Sequence, residues 1–160
     1  MLAFRQALAS EAGLLSKLAL ASKSHWPYSP SQLQRWAAEL QVTPADIASW
    51  PTIVALEGAT LAGFYQLRIQ PDEVCTLEHF WVAPEYIGKG IGRRMLADAL
   101  ERASDGGAVT VSIQSDPYAE PFYVACGAKR TGQVPAPMEG AEGRVLPVLQ
   151  IAAQTAVKTG

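Results

Sequence analysis

Gly88, Gly90 and Gly92 occupy alternate positions between an extended apolar segment that ends at Val82 and an amphipathic segment that begins at Ile91. Glycine at every second residue lets the backbone bend without Cβ clashes, so successive N–H groups can converge on one point. A helix starting there adds the positive end of its dipole. The stretch Val82 to Arg94 therefore predicts a cradle for a cluster of anionic oxygens, a diphosphate above all. Two common glycine loops fail against the letters. There is no Gly-Lys-Ser/Thr at Walker spacing, and a dinucleotide fingerprint would need glycine where Arg93 stands. The predicted phosphate contacts are the main-chain groups of Gly88, Lys89, Gly90, Ile91, Gly92 and Arg93, with side-chain charge from Lys89, Arg93 or Arg94.

The remaining periodicities place this cradle. A short strand over residues 2–6 precedes an amphipathic helix from about Ser10, whose hydroxyl would cap it, to about Ser22. The turn-rich loop Lys23 to Pro30 leads to helical spacing over Ser31 to Leu40. Thr43, Pro44 and Asp46 then supply a cap, a first-turn proline and a first-turn acid for a helix ending near Ser49. From Thr52 the period changes to two. Strands are predicted at 52–56 and 61–69 with a turn near Gly58, and, after a turn at Pro71–Glu73, at 74–82. Ile91, Met95, Leu96, Ala99, Leu100 and Ala103 form one face of a helix over 91–104. A strand at 108–113, a short helix at 119–126 stopped by Gly127, and strands at 128–134 and 144–151 complete the chain. The expected fold class is α/β, a central, mostly antiparallel mixed sheet of about seven strands flanked by helices.

At 160 residues the chain is read as a single domain with its core over about 2–151. A net charge of −2 with no basic run argues against nucleic acid as a partner. No apolar run reaches the length of a bilayer span, and the first residues lack a signal peptide's features, so no membrane association and a cytoplasmic location are expected. Cys75 and Cys126 stand outside any CxxC spacing and are read as reduced thiols. With only His25 and His79 and no Cys/His cluster, no metal is expected.

A second motif follows the cradle: Asp116-Pro117-Tyr118-Ala119-Glu120-Pro121-Phe122-Tyr123-Val124-Ala125-Cys126-Gly127-Ala128. With the glycine loop it resembles the two signature segments of the GNAT acyltransferases, the second of which is written N-x-x-A-x-x-x-Y-x-x-x-G-F. Asp116 replaces the usual asparagine, Ala128 the usual phenylalanine, and Ile87 a Gln or Arg that many such loops carry. The loop His25-Trp26-Pro27-Tyr28 and the segment Gly143 to Pro147 resemble a branch of that family whose acceptors are mostly unassigned.

The resemblance implies a GNAT-like fold and transfer of an acetyl group from acetyl-CoA to an amine by direct attack in a ternary complex. The acceptor is a small-molecule amine or, as the other option, a protein amine. It also implies a base on the strand before the cradle and an acid on the later short helix. Glu78, sharing a face with Phe80 and Val82, is the candidate base, and enclosure by apolar neighbours would move its pKa towards the working range. Tyr123 is the candidate acid for the leaving thiolate. Phe80 and Val82 would offer backbone groups to the pantetheine arm, and Asp116 is either a further contact to that arm or a helix cap. His25, Trp26 and Tyr28 are candidate acceptor contacts, with a hydrophobic plug as the other reading. Neither motif places a base beside Cys75 or Cys126, so an acyl-cysteine route is not expected. A noncatalytic acyl-CoA-binding module stays open as the alternative function, and the final strand leaves room for a homodimer.

Overall fold

The computed structural model describes every residue except Pro71, Glu73 and Gly160; of the turn expected at Pro71–Glu73, those two residues lie outside the described part. The elements in chain order are β1 (Leu2–Gln6), α1 (Ala12–Lys23), α2 (Pro30–Trp36), α3 (Pro44–Ser49), β2 (Thr52–Glu57), β3 (Thr60–Ile69), β4 (Val74–Val82), α4 (Ile91–Asp105), β5 (Thr110–Gln114), α5 (Glu120–Ala125), β6 (Lys129–Pro135) and β7 (Val145–Ala152). The strands form one mixed sheet in the order β1-β2-β3-β4-β5-β7-β6. Among the described residues only β4 and β5 pair in parallel, and the crossover a parallel pair requires is α4.

The sheet is covered on both faces. Leu15, Leu18 and Ala19 of α1 and Ile47 of α3 pack with Val54 and Phe64 on one side. On the other, Met95, Leu96, Ala99 and Leu100 of α4 pack with Tyr65, Leu67, Val111 and Ile113. The helix face read from the sequence is the buried one. Among the described residues no helix is long and apolar enough to cross a membrane.

Three local expectations need correction. Ser10 does not cap α1. The chain enters through a 3-10 turn at Ala9–Glu11, and the Glu11 carboxylate accepts the Leu8 amide at 2.7 Å while binding the Arg5 guanidinium at 2.9 and 3.0 Å. A carboxylate accepts all three bonds and offsets the guanidinium charge, which one hydroxyl could not. The second helix starts at Pro30, with the Ser29 hydroxyl accepting the Gln32 amide, and ends at Trp36 rather than Leu40. Ala108 belongs to the end of α4, where its amide donates to the Ala103 carbonyl past Gly107 at φ +92°, so β5 begins two residues later than expected. By contrast, Thr43 and Asp46 exchange the reciprocal capping bonds that their spacing implies, at 3.1 and 2.9 Å.

His79 faces the α1 side, where the Trp81 indole N–H donates to its Nδ1 at 3.1 Å. Indole is a donor only, so Nδ1 must be unprotonated. Burial holds the His79 pKa below 6.5. As pH falls through that value the unfolded chain takes up this proton before the folded one, so stability is lost on acidification. His79→Gln, whose amide oxygen can keep the Trp81 bond, is expected to flatten the fall of Tm between about pH 6.5 and 5. Thermal melts across that window check it, and an unchanged slope overturns it. Glu11 and Asp46 sit below the ordinary carboxylate range, held there by Arg5 and by the Thr43 amide. Their contribution is lost at lower pH in both proteins.

Candidate active site

A strand irregularity creates the cleft. β4 pairs with β5 only over Val74–Leu77, and beyond this the two strands part. On its other side β4 pairs with β3, but Gln66 lies opposite His79 and Leu67 opposite Leu77, which leaves Glu78 as the extra residue of a β-bulge. The bulge also shifts the pleat. Cys75 and Leu77 face the α4 layer before it, and Phe80 and Val82 face that layer after it.

The resulting cleft has a volume of about 440 Å³. Leu77, Glu78 and Phe80 to Val82 form one wall, Ile113 to Asp116 the other, and Phe122 and Tyr123 of α5 close it below. The glycine loop reaches it from the α4 side, whereas Ser22 and Trp26 reach it from the end of α1. The cleft therefore crosses the sheet layer, with walls supplied by elements on both faces.

At the glycine loop, a 3-10 turn at Pro84–Tyr86 leads into Gly88 at φ +82° and Gly90 at φ +81°. Gly90 is the N-cap of α4, and no side chain among the described residues caps that helix. The amides of its first turn are therefore left for a guest, at the positive end of a 15-residue helix. Gly92 has a different role: a Cβ there would come within 3.1 Å of the Phe122 ring, so glycine allows α4 and α5 to approach. Arg93 lines the cleft, its Nη1 3.9 Å from Cys126 Sγ. Ile91 is buried in the core, so only its main chain faces the loop. The Lys89 ammonium lies 5.7 Å from the Tyr86 ring centre and outside the cleft lining.

Glu78 lines the cleft at the bulge but is exposed, so the apolar enclosure considered from the sequence is not present. Tyr123 is 5% exposed and set edge-on to Phe80 and Phe122, with ring centres 5.7 and 5.1 Å away. Burial raises its phenol pKa well above the ordinary value, with smaller contributions from Cys126 and Asp116. No protein group among the described residues is hydrogen-bonded to its hydroxyl. Both cysteines are free and buried. Burial pushes the Cys75 thiol up to about 11 and raises Cys126 as well, a setting that disfavours a thiolate nucleophile.

Asp116 borders the cleft, yet its carboxylate is engaged internally. Oδ2 accepts from Lys23 Nζ at 2.6 Å and from the Tyr28 hydroxyl at 2.8 Å, and Oδ1 accepts the Tyr118 amide at 2.8 Å. It does not cap α5, whose N-cap is Ala119. Tyr28 lies behind the wall rather than on it. Trp26 lines the cleft and stacks on Tyr118, while His25 is exposed and packs edge-on to Trp26 at 5.0 Å. Sequence reasoning missed Lys23, Tyr118 and Arg144. Their placement depends on contacts across about ninety residues or more, which no local pattern carries.

Comparisons with known proteins agree with this fold. No curated protein matches the chain in sequence. Among solved structures, the PaiA N-acetyltransferase of Thermoplasma acidophilum, in complex with coenzyme A, superposes with a TM-score of 0.78 at 18% identity, covering 95% of this chain and 99% of its own. A GCN5-related N-acetyltransferase from Rhodopseudomonas palustris gives 0.75 at 22% identity and 94% of each chain. The ribosomal-protein-S18-alanine N-acetyltransferase of Escherichia coli gives 0.71 at 14%, covering 100% of this chain and 99% of its own. These identities bear on fold alone. Residues 15–128 match the model of the acetyltransferase (GNAT) family, and with well over half its length inside that match the chain belongs to this family.

Proposed function

We propose that this protein transfers the acetyl group of acetyl-CoA to an amine by direct attack, with both substrates held in the cleft together. The observation that carries the reading is an uncapped helix N-terminus behind two positive-φ glycines, opening into a cleft with a carboxylate and a buried phenol on its walls. Coenzyme A and acetyl-CoA accompany the Thermoplasma acidophilum structure and a Salmonella typhimurium neighbour, respectively. In this chain the amides from Gly88 to Arg93 would receive the pyrophosphate, with Arg93 adding charge. Past the bulge, the β5-facing main-chain groups of Phe80 and Val82 are free to pair with the amide-bearing pantetheine arm.

Bound acetyl-CoA supplies an activated acyl group, and the chain manages the protons. An alkyl ammonium has a pKa of about 10.4, so on the order of one molecule in a thousand is nucleophilic at neutral pH. Glu78 takes up that proton, directly or through water, and its exposure lets the proton pass to solvent. Tyr123 donates a hydrogen bond to the departing sulfur. Burial raises its pKa above that of an ordinary phenol, so the hydroxyl is protonated near neutral pH and available as a donor to the thiolate.

The test is thiol release from acetyl-CoA over a panel containing a polyamine, an arylalkylamine, an amino acid and peptides with a free N-terminus or lysine. Glu78→Gln is expected to lower kcat/KM by about tenfold or more near neutral pH, and the deficit should shrink as pH approaches the pKa of the amine. A deficit that is absent, or constant with pH, removes the base assignment. Tight coenzyme A binding without turnover of any panel member would assign the noncatalytic module instead.

A further inference from the structure

The Asp116 carboxylate joins three stretches of chain that meet beside the α1 end of the cleft. Lys23 ends α1, Tyr28 closes the loop that carries Trp26, and Arg144 comes from the β6–β7 hairpin. Besides its bonds to Lys23, Tyr28 and the Tyr118 amide, Asp116 has Arg144 Nη2 at 3.8 Å, and Arg144 donates to the Tyr28 hydroxyl at 3.1 Å. Both cations lie over the same two rings. Lys23 Nζ is 4.5 Å from the Trp36 centre and 5.2 Å from that of Tyr28, and the Arg144 guanidinium is 5.1 and 5.6 Å away. The Lys23, Asp116 and Arg144 side chains are 11%, 8% and 10% exposed, so two cations share one anion largely out of water. What this group holds in place is part of the cleft wall. Ser22 precedes Lys23, Trp26 precedes Tyr28, Tyr118 follows Asp116, and all three line the cleft, with the Trp26 and Tyr118 rings stacked at 5.4 Å and 13°.

We propose that Asp116 is a positioning residue for the acyl acceptor, fixing the Trp26/Tyr118 wall by offsetting the buried charge of Lys23 and Arg144 and by holding the Tyr28 hydroxyl and the Tyr118 amide, and that it does not contact the coenzyme. The proposal rests on the transfer reading above. Its physical basis is that three hydrogen bonds and a second cation already engage the carboxylate, and that removing one member of a buried ionic group leaves the others uncompensated. Asparagine at this position, usual in the resembling motif, would leave Lys23 and Arg144 close together with no anion between them. The aspartate here is matched to these two cations.

Asp116→Asn is expected to raise the acceptor KM by about tenfold, read with the fastest amine of the panel, while the Kd for coenzyme A by calorimetry stays within about twofold. Adding Lys23→Met removes the surplus cation yet still fills the aromatic cage, and should recover most of the loss. Simple destabilisation would instead make the double variant worse. A coenzyme A Kd that weakens as much as KM rises, or a double variant no better than the single one, overturns the proposal. Should Asp116→Asn not fold, Tyr28→Phe keeps the ring and breaks the link, and should raise acceptor KM by about threefold with coenzyme A binding unchanged. An unaltered KM overturns the proposal there too. Hydrogen exchange separates this proposal from the transfer reading, because it needs no turnover. Residues 22–30 and 136–144 should exchange faster together in Asp116→Asn and recover in the double variant, whereas unchanged exchange overturns the role.

Discussion

Tyr123→Phe is expected to lower the maximal rate of acetyl transfer by about 10²-fold while leaving the Kd for coenzyme A unchanged. The magnitude is that of losing one hydrogen-bond donor aimed at charge that develops during reaction. The substitution is clean because the ring is fixed by its edge-on packing with Phe80 and Phe122, which phenylalanine repeats. Only the hydroxyl is lost, and it has no protein partner among the described residues. Since burial holds the phenol far up its range, the rate should show no alkaline limb from Tyr123 below about pH 10. Steady-state kinetics and calorimetry on the same preparation check this, and an unchanged kcat removes Tyr123 from the mechanism.

The second large effect is on folding. Gly63→Ala is expected to cost about 3 kcal/mol, or roughly 10 °C in Tm, and to weaken coenzyme A binding with it. A Cβ at this position would lie 2.6 Å from the Trp81 carbonyl oxygen and 2.7 Å from Met95 Sδ. The methionine can rotate away. The carbonyl cannot, because β3 and β4 are locked here in the register Gly63–Val82 and Phe64–Trp81. Trp81 lies next to Val82, the last residue of β4, so relieving the clash displaces the strand end that leads into the proposed cradle. Gly88 and Gly90 differ in kind, since a Cβ would meet nothing within 4 Å there and only the positive φ demands glycine. Thermal melts and calorimetry decide it, and a wild-type Tm overturns the packing argument.

Much of this architecture could be read from the residues. The glycine loop, the Thr43 to Asp46 cap and the buried face of α4 are local patterns whose physics acts within a few residues, and the structure repeats them with small shifts at the ends. The bulge at Glu78 was not legible. Glu78, Phe80 and Val82 keep a period of two, and the slip shows only against β3, where Gln66 and Leu67 take His79 and Leu77 as partners. The ionic group around Asp116 was hidden for another reason. Each member has an adequate local explanation: Lys23 at a helix C-terminus, Asp116 before a short helix, Arg144 in a hairpin. Their meeting is set by tertiary packing, as are the exposure of Glu78 and the burial of Tyr123, on which the proposed division of proton work depends.

The parting of β4 from β5 has a kinetic consequence. Under the proposed reading the donor enters from the α4 face and the acceptor from the α1 face, so neither has to wait for the other to load or leave. Initial-rate patterns should then be those of random addition, with each product competing only against its own precursor. A bisubstrate conjugate threaded through the sheet, coenzyme A joined by one acyl bridge to the preferred amine, would occupy both entrances at once.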